Sequence, residues 1–286
     1  MATHGKVKYE HFLCTPMKLS SRQAFWYAAF LLVFTAIAAY TVANKTWWFP
    51  PLASVQGGEI DNLFMITLVI TGIVFVAVHV VLAYFVWRYR GRPERKAAYI
   101  THNTPFEISA AATVAVALVI LVGGGTTLWT KIQSPPPADA FTVEVWAEQF
   151  RWTFHYPGAD GRMGNVDVRF ISDDNPYGLD PSDPYAKDDI FATEMHVPYG
   201  KPIAVILRSK DVLHSFFLPH FRMKMDVVPG MKTRMWFTPT QAGVFEIPCA
   251  ELCGVGHYIM RGVLTVESPE QFNDWISQQT PVGMSQ

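Results

Sequence analysis

The chain has 286 residues, half of them hydrophobic and 16% charged, with a formal net charge of −1. So apolar a composition argues against a wholly soluble domain, and the near-neutral charge argues against nucleic acid as a partner. Three cysteines are too few to imply a disulfide framework.

The N-terminal stretch is polar and holds Lys6, Lys8, Lys18 and Arg22, with an isolated Cys14 to which the sequence assigns no role. Three apolar runs follow, from about Ala24 to Ala43, Leu63 to Trp87, and Ile108 to Trp129. Each is near or above the roughly 20 residues that cross a bilayer as a helix, the form that satisfies backbone polar groups internally. No small-x-small cleavage site precedes Asn44, so the first run is expected to be retained and not cleaved as a signal peptide. Basic residues precede the first run, and Arg88, Arg90, Arg92, Arg95 and Lys96 fill the connection between the second and third. Both regions are expected inside, with Trp47, Trp48 and Phe49 at the outer interface. Residues 1–134 therefore read as a membrane region of a bacterial-type plasma (inner) membrane protein, in contact with lipid. Residues 135–286 read as a domain on the periplasmic side. His79 lies inside the second run, where an ionisable group is costly, and is expected to pack against a partner subunit.

Pro135, Pro136 and Pro137 form a stiff spacer. Beyond them, short β-prone runs alternate with turns: Phe141–Ala147, Gln149–Tyr156, Pro202–Leu207, Arg234–Phe237, Gly243–Ile247 and Gly262–Val266. This spacing predicts an all-β Greek-key sandwich or barrel of about 130 residues. Between about 158 and 190 the chain is rich in Asp and Pro. An ordinary solvated loop and an acidic surface that steers a basic partner both fit that composition. Ser268, Pro269 and Gln271 predict a short C-terminal helix through an N-cap, a first-turn Pro and a capping-box partner.

The loop from Cys249 to Met260 reads Cys-Ala-Glu-Leu-Cys-Gly-Val-Gly-His-Tyr-Ile-Met. Two thiolates, an imidazole and a thioether form a soft donor set that selects copper over hard cations. His214, one Cys, His257 and Met260 already complete a one-copper electron-transfer site, which leaves a second Cys. Two sulfurs four residues apart can instead bridge two copper ions, with one His on each and the Glu251 carbonyl as a weak ligand. A zinc half-site, reduced thiols or a disulfide also suit Cys-x3-Cys alone. Met is a poor zinc ligand, and a disulfide leaves His214, His257 and Met260 with no reason to converge, so dinuclear copper is favoured. His155, His196 and His220 read as surface or supporting groups, and Asp211 and Asp226 as residues that orient the loop or a subunit interface.

Three segments carry a family resemblance: Ser209–Phe216, Lys224–Gly230 and the Cys249–Met260 loop, with Glu59–Phe64 leading into the second apolar run. On these the chain resembles subunit II of the haem–copper cytochrome c oxidases. The resemblance implies a cupredoxin-like domain carrying the dinuclear copper centre CuA, with His214, Cys249, Glu251 (through its carbonyl), Cys253, His257 and Met260 as ligands. It also implies that the Glu251 carboxylate faces a magnesium or manganese ion shared with subunit I. Electrons would arrive from a cytochrome c-type donor and leave for haem in subunit I, where oxygen is reduced and protons are pumped. This chain would then be part of an oxidase without a catalytic site of its own.

Departures from the family pattern are visible. Phe150 stands where the family has the Trp that resembles the electron-uptake point, and Trp152 remains beside it. An additional N-terminal helix and the 158–190 insertion are further differences. Glu107 aligns with the acidic mouth of a proton path into subunit I, although Ala110 stands near the usual Trp. An acid there is equally a helix-start residue. Rival functions are a metal-free quinol oxidase subunit II, the copper subunit of a nitric oxide reductase-type complex, and a membrane-anchored copper carrier.

Overall fold

The computed structural model describes residues 20–92, 94–96 and 98–284; Lys6, Lys8, Lys18 and Cys14 lie outside them. Three long helices come first: α1 (Ser21–Ala43), α2 (Val55–Arg88) and α3 (Thr104–Gln133). All three are long and apolar enough to cross a membrane. Each of α2 and α3 extends past its apolar run at both ends, because helical hydrogen bonding continues through polar flanks that hydropathy alone leaves out. The chain divides into two compact units, one of the described residues up to Trp47 with Leu68–Ala115, the other of Trp48–Thr67 with Val116 onward.

In the first unit, Ser20 caps α1, accepting from the Gln23 N–H while the Gln23 side chain accepts from the Ser20 N–H. Ala24, Ala28 and Thr35 are the buried positions of α1, and the Thr35 hydroxyl is satisfied by the Leu31 carbonyl at 2.7 Å. His79 is half-buried within this chain, its Nδ1 2.8 Å from the Phe75 carbonyl and its ring 6.0 Å from that of Phe34 on α1. Within this chain it packs against the rings of Phe75 and Phe34.

The second unit is built on ten strands: β1 (Phe141–Glu148), β2 (Arg151–Tyr156), β3 (Ile190–Ala192), β4 (Met195–Pro198), β5 (Ile203–Ser209), β6 (His214–Leu218), β7 (Met223–Val227), β8 (Thr233–Phe237), β9 (Gly243–Pro248) and β10 (Arg261–Glu267). They form a five-stranded sheet ordered β3-β2-β1-β5-β8, a three-stranded sheet ordered β4-β10-β9, and the β6-β7 ribbon. β1 pairs with β5 in parallel, as β4 does with β10, so the sheets close through crossovers as well as hairpins. Alternation decides the core: Val143, Val145 and Ala147 of β1 and Trp152, Phe154 and Tyr156 of β2 point inward together. Helix α4 (Pro269–Ser277) follows with the expected cap, Ser268 accepting from the Gln271 N–H and Gln271 from the Ser268 N–H. The first turn of α2 belongs to this unit. Ala53 N–H donates to the His220 carbonyl, and Arg222 grips Asp61 at 2.9 and 3.1 Å.

The 158–190 insertion is ordered by its own acids. Asp167 and Asp183 cap short 3-10 turns, Asp188 accepts from the Asp160 N–H, and Val166 bridges Leu179. Asp160, Asp173 and Asp174 stay exposed, while Asp167, Asp183 and Asp188 hold turns within the segment. The segment covers the outer face of the large sheet, where Glu144, Trp146, Thr153 and His155 are all buried.

Sequence reading placed His155 at the surface or in support of the copper loop. The structure corrects this: its Nδ1 lies 3.0 Å from Glu144 and its Nε2 2.8 Å from Asp189 of the insertion. Arg208 pairs with the other oxygen of Glu144. Burial alone would lower His155, yet the hydrogen bonds to Asp189 and Glu144 outweigh it and raise its pKa. Burial would likewise raise Glu144, but His155 and Arg208 hold it below the ordinary carboxylate range.

Candidate metal centre

His214 opens β6, just past the end of β5. The loop between β9 and β10 begins at Cys249 and ends at Met260, and its neck is closed by the Cys249 N–H donating to the Met260 carbonyl at 3.0 Å. A bridge from Phe216 to Cys249 and the Ala250 N–H on the Ser215 carbonyl fasten this neck to β6. Inside the loop, the His257 N–H donates to the Gly254 carbonyl and starts a single 3-10 turn through Ile259. Residues from separate strand ends therefore meet at one fixed place.

Their side chains converge. Cys249 Sγ and Cys253 Sγ are 3.9 Å apart, both as free thiols. His257 Nδ1 lies 3.7 Å and Met260 Sδ 3.8 Å from Cys253 Sγ, and the Glu251 carbonyl is 3.2 Å from Cys249 Sγ. One ligand atom each from His214, Cys249 and Cys253 all lie within 4.8 Å of one another. His214, Cys249, Cys253 and Met260 are buried, whereas His257 and Glu251 are half-buried. Among the described residues no second group of three His, Cys or carboxylates gathers around the Glu251 side chain, so a hard cation there needs ligands from elsewhere.

The fit to a metal rests on His214. Its Nε2 lies 2.8 Å from Asp211 Oδ1, while its Nδ1 is buried without a hydrogen-bond partner among the described residues. A buried ring nitrogen left unsatisfied is costly. An imidazole whose other nitrogen is held by a carboxylate is the usual arrangement of a metal-bound histidine. Trp152 Nε1 and Asp189 Oδ1 are also unpartnered, but an indole N–H only donates and Asp189 already accepts two bonds through its other oxygen. Burial, then the neighbouring Cys249, pushes the Cys253 thiol up to about 11. A metal that replaces the proton removes that penalty.

Around this cluster, Phe150 is half-buried in the β1–β2 turn, with its ring against the backbone of the Cys249–Met260 loop. A Cβ on Gly256 would sit 2.4 Å from that ring, so only glycine permits the approach. Trp152 is buried edge-on to His214, ring centres 6.1 Å apart, and is not a surface group. Glu107 lies far along the sequence from this site in the first turn of α3, where it accepts from the Asn103 N–H at 2.9 Å as a helix cap. His196 stacks on Trp275 and bonds Glu267, and His220 bonds the Pro51 carbonyl. Asp226 accepts from the Ser215 hydroxyl. Sequence reading missed Gln149, whose side-chain amide donates to the Cys253 carbonyl. Nothing in its residue type signals that contact.

Residues 141–267 match the family model for the periplasmic domain of cytochrome C oxidase subunit II. The chain is 43% identical over 242 residues to the alternative cytochrome c oxidase subunit 2 of Bradyrhizobium diazoefficiens, covering 84% of this chain and 87% of that one. It is 30% identical over 250 residues to cytochrome c oxidase subunit 2 of Cereibacter sphaeroides, covering 80% and 79%. A solved periplasmic domain of subunit II of cytochrome oxidase from Bradyrhizobium japonicum is 27% identical, covers 49% of this chain and 94% of its own, and superposes with a TM-score of 0.36. With identity of this extent running across helices and β domain alike, the chain belongs to the cytochrome c oxidase subunit II family.

Proposed function

We propose that this chain is the electron-accepting subunit of a respiratory oxidase, taking electrons from a cytochrome c-type donor through a dinuclear copper centre and handing them to haem in subunit I. Oxygen reduction and proton pumping would take place there. The observation that carries the reading is the buried, unpartnered Nδ1 of His214 within reach of two free thiols.

Cys249 and Cys253 would serve both metals, His214 and His257 one each, and Met260 and the Glu251 carbonyl would be weak ligands. The chemistry such a group supplies is one-electron transfer with the charge shared over two metals. The chain's own part is to bury the thiols, fix the His214 ring through Asp211 and tie the loop neck to β6. Ligands anchored at several strand ends move little when charge changes. Phe150, packed on the loop, is the proposed electron-uptake point, with Trp152 behind it. The Glu251 carboxylate is proposed to face magnesium or manganese at the contact with subunit I. Glu107 is proposed for the mouth of a proton path there, in addition to its capping role.

Basic residues between α2 and α3, and Arg22 at the start of α1, support an inner-membrane placement with residues 135–286 on the periplasmic side and residues 1–134 as the anchor. Elemental analysis of the purified oxidase tests the central step. Two coppers in this subunit and a near-infrared band are expected, and zinc or no metal would overturn the assignment.

A further inference from the structure

One carboxylate outside the donor set reaches two parts of the site at once. Asp211 Oδ1 lies 2.8 Å from His214 Nε2 and accepts the Val212 N–H at 2.6 Å, while its Oδ2 accepts the Gln149 N–H at 2.7 Å. Gln149 in turn donates its side-chain amide to the Cys253 carbonyl, and the next residue, Phe150, lays its ring on Gly254 and Gly256. Lys210 continues the β1–β5 pairing by donating its N–H to the Ala147 carbonyl, so the carboxylate is held opposite the β1–β2 turn by backbone.

We infer that Asp211 is the positioning residue that locks the His214 ring to the Phe150 turn, and so sets the metal ligand and the electron-uptake aromatic in one fixed relation. The inference rests on the copper reading above and adds a residue to it. Carboxylate oxygens only accept, so Oδ1 requires the proton of His214 on Nε2 and leaves Nδ1 as a lone pair for a metal. The second oxygen holds the strand turn that carries Phe150. No neutral side chain of this size offers two acceptors. In Asp211→Asn, either His214 Nε2 or the Gln149 N–H must face an NH2 group, donor against donor.

The test uses the whole purified oxidase with Asp211→Asn, Asp211→Ala and Asp211→Glu, and with Asp274→Asn, an exposed acid of α4 remote in sequence from every proposed ligand, as a charge control. Copper is counted first. Loss of copper to a chelator, the near-infrared band, the reduction potential, and kcat and KM for reduced cytochrome c are then measured. Removing such a carboxylate costs on the order of 10- to 100-fold in metal affinity or activity. The Asn and Ala chains are therefore expected to lose copper about 10- to 100-fold faster, with a shifted band and a raised potential. The Glu chain, which keeps both oxygens, is expected to recover most of the retention, and the Asp274 control to match wild type. Equal chelator rates, bands and potentials in wild type and Asp211→Asn would overturn the inference while leaving the copper reading intact. A wild-type subunit without two coppers would overturn both.

Discussion

His155 and His214 are both fully buried in the same β domain, and they do opposite things. His155 has each nitrogen against a carboxylate, Glu144 on one side and Asp189 on the other. A neutral imidazole has only one N–H, so this double engagement calls for the imidazolium, which together with Arg208 balances the two acids. The group is self-sufficient and fastens the insertion to the sheet. His214 has one nitrogen engaged and one left over beside two thiols. Burial therefore does not mark a ligand; an unmet ring nitrogen among soft donors does.

Breaking the His214 side of this comparison should have the largest effect. Cys249→Ser replaces a proposed metal-ligating sulfur with a hard, poorly ionised oxygen. It is expected to drop copper below two per subunit and to abolish electron uptake while the helices remain assembled; wild-type turnover would contradict this. The His155 side should fail differently. His155→Ala leaves Glu144 and Asp189 buried without their shared partner, a loss of about 3–5 kcal/mol. Calorimetry should show a lower melting transition for the β domain with the copper spectrum intact, and a changed spectrum with unchanged stability would reverse the two roles.

Gly256→Ala drives a methyl into the Phe150 ring and is expected to cost about 1–3 kcal/mol. Its signature should be slowed electron uptake from the donor at full copper content. The smallest effect is in pH. The raised His155 pKa contributes stability that is complete below its ordinary value of 6.5 and fades as pH rises through the folded value. The lowered Glu144 pKa contributes stability that is complete above its ordinary 4.5 and fades on acidification. The melting-temperature gap between wild type and His155→Ala should thus be widest between these values and shrink toward alkaline pH. A gap that widens there contradicts the ion cluster.

Sequence alone showed the helices, because apolar runs of that length have few other uses, and α4, because Ser268 and Gln271 are local signals. It pointed to the Cys249–Met260 loop because soft donors were packed into one segment, and the structure brings two of them beside His214. It did not show β6, which is buried along nearly its whole length and so does not alternate, nor β7, although Met223–Val227 alternates in sequence and in burial. His155 was misplaced because its partner Asp189 is 34 positions away and the cover over that face is itself irregular. Asp211 stood three residues before His214, but its second contact, to the Gln149 backbone, depends on the β1–β2 turn that only folding brings near.

Electron paramagnetic resonance of the oxidised complex tests the central claim most directly. An unpaired electron shared over two copper ions held by Cys249 and Cys253 would give a hyperfine pattern from both nuclei, and that pattern is expected. A signal from a single copper nucleus, or no copper signal in fully assembled protein, would contradict it.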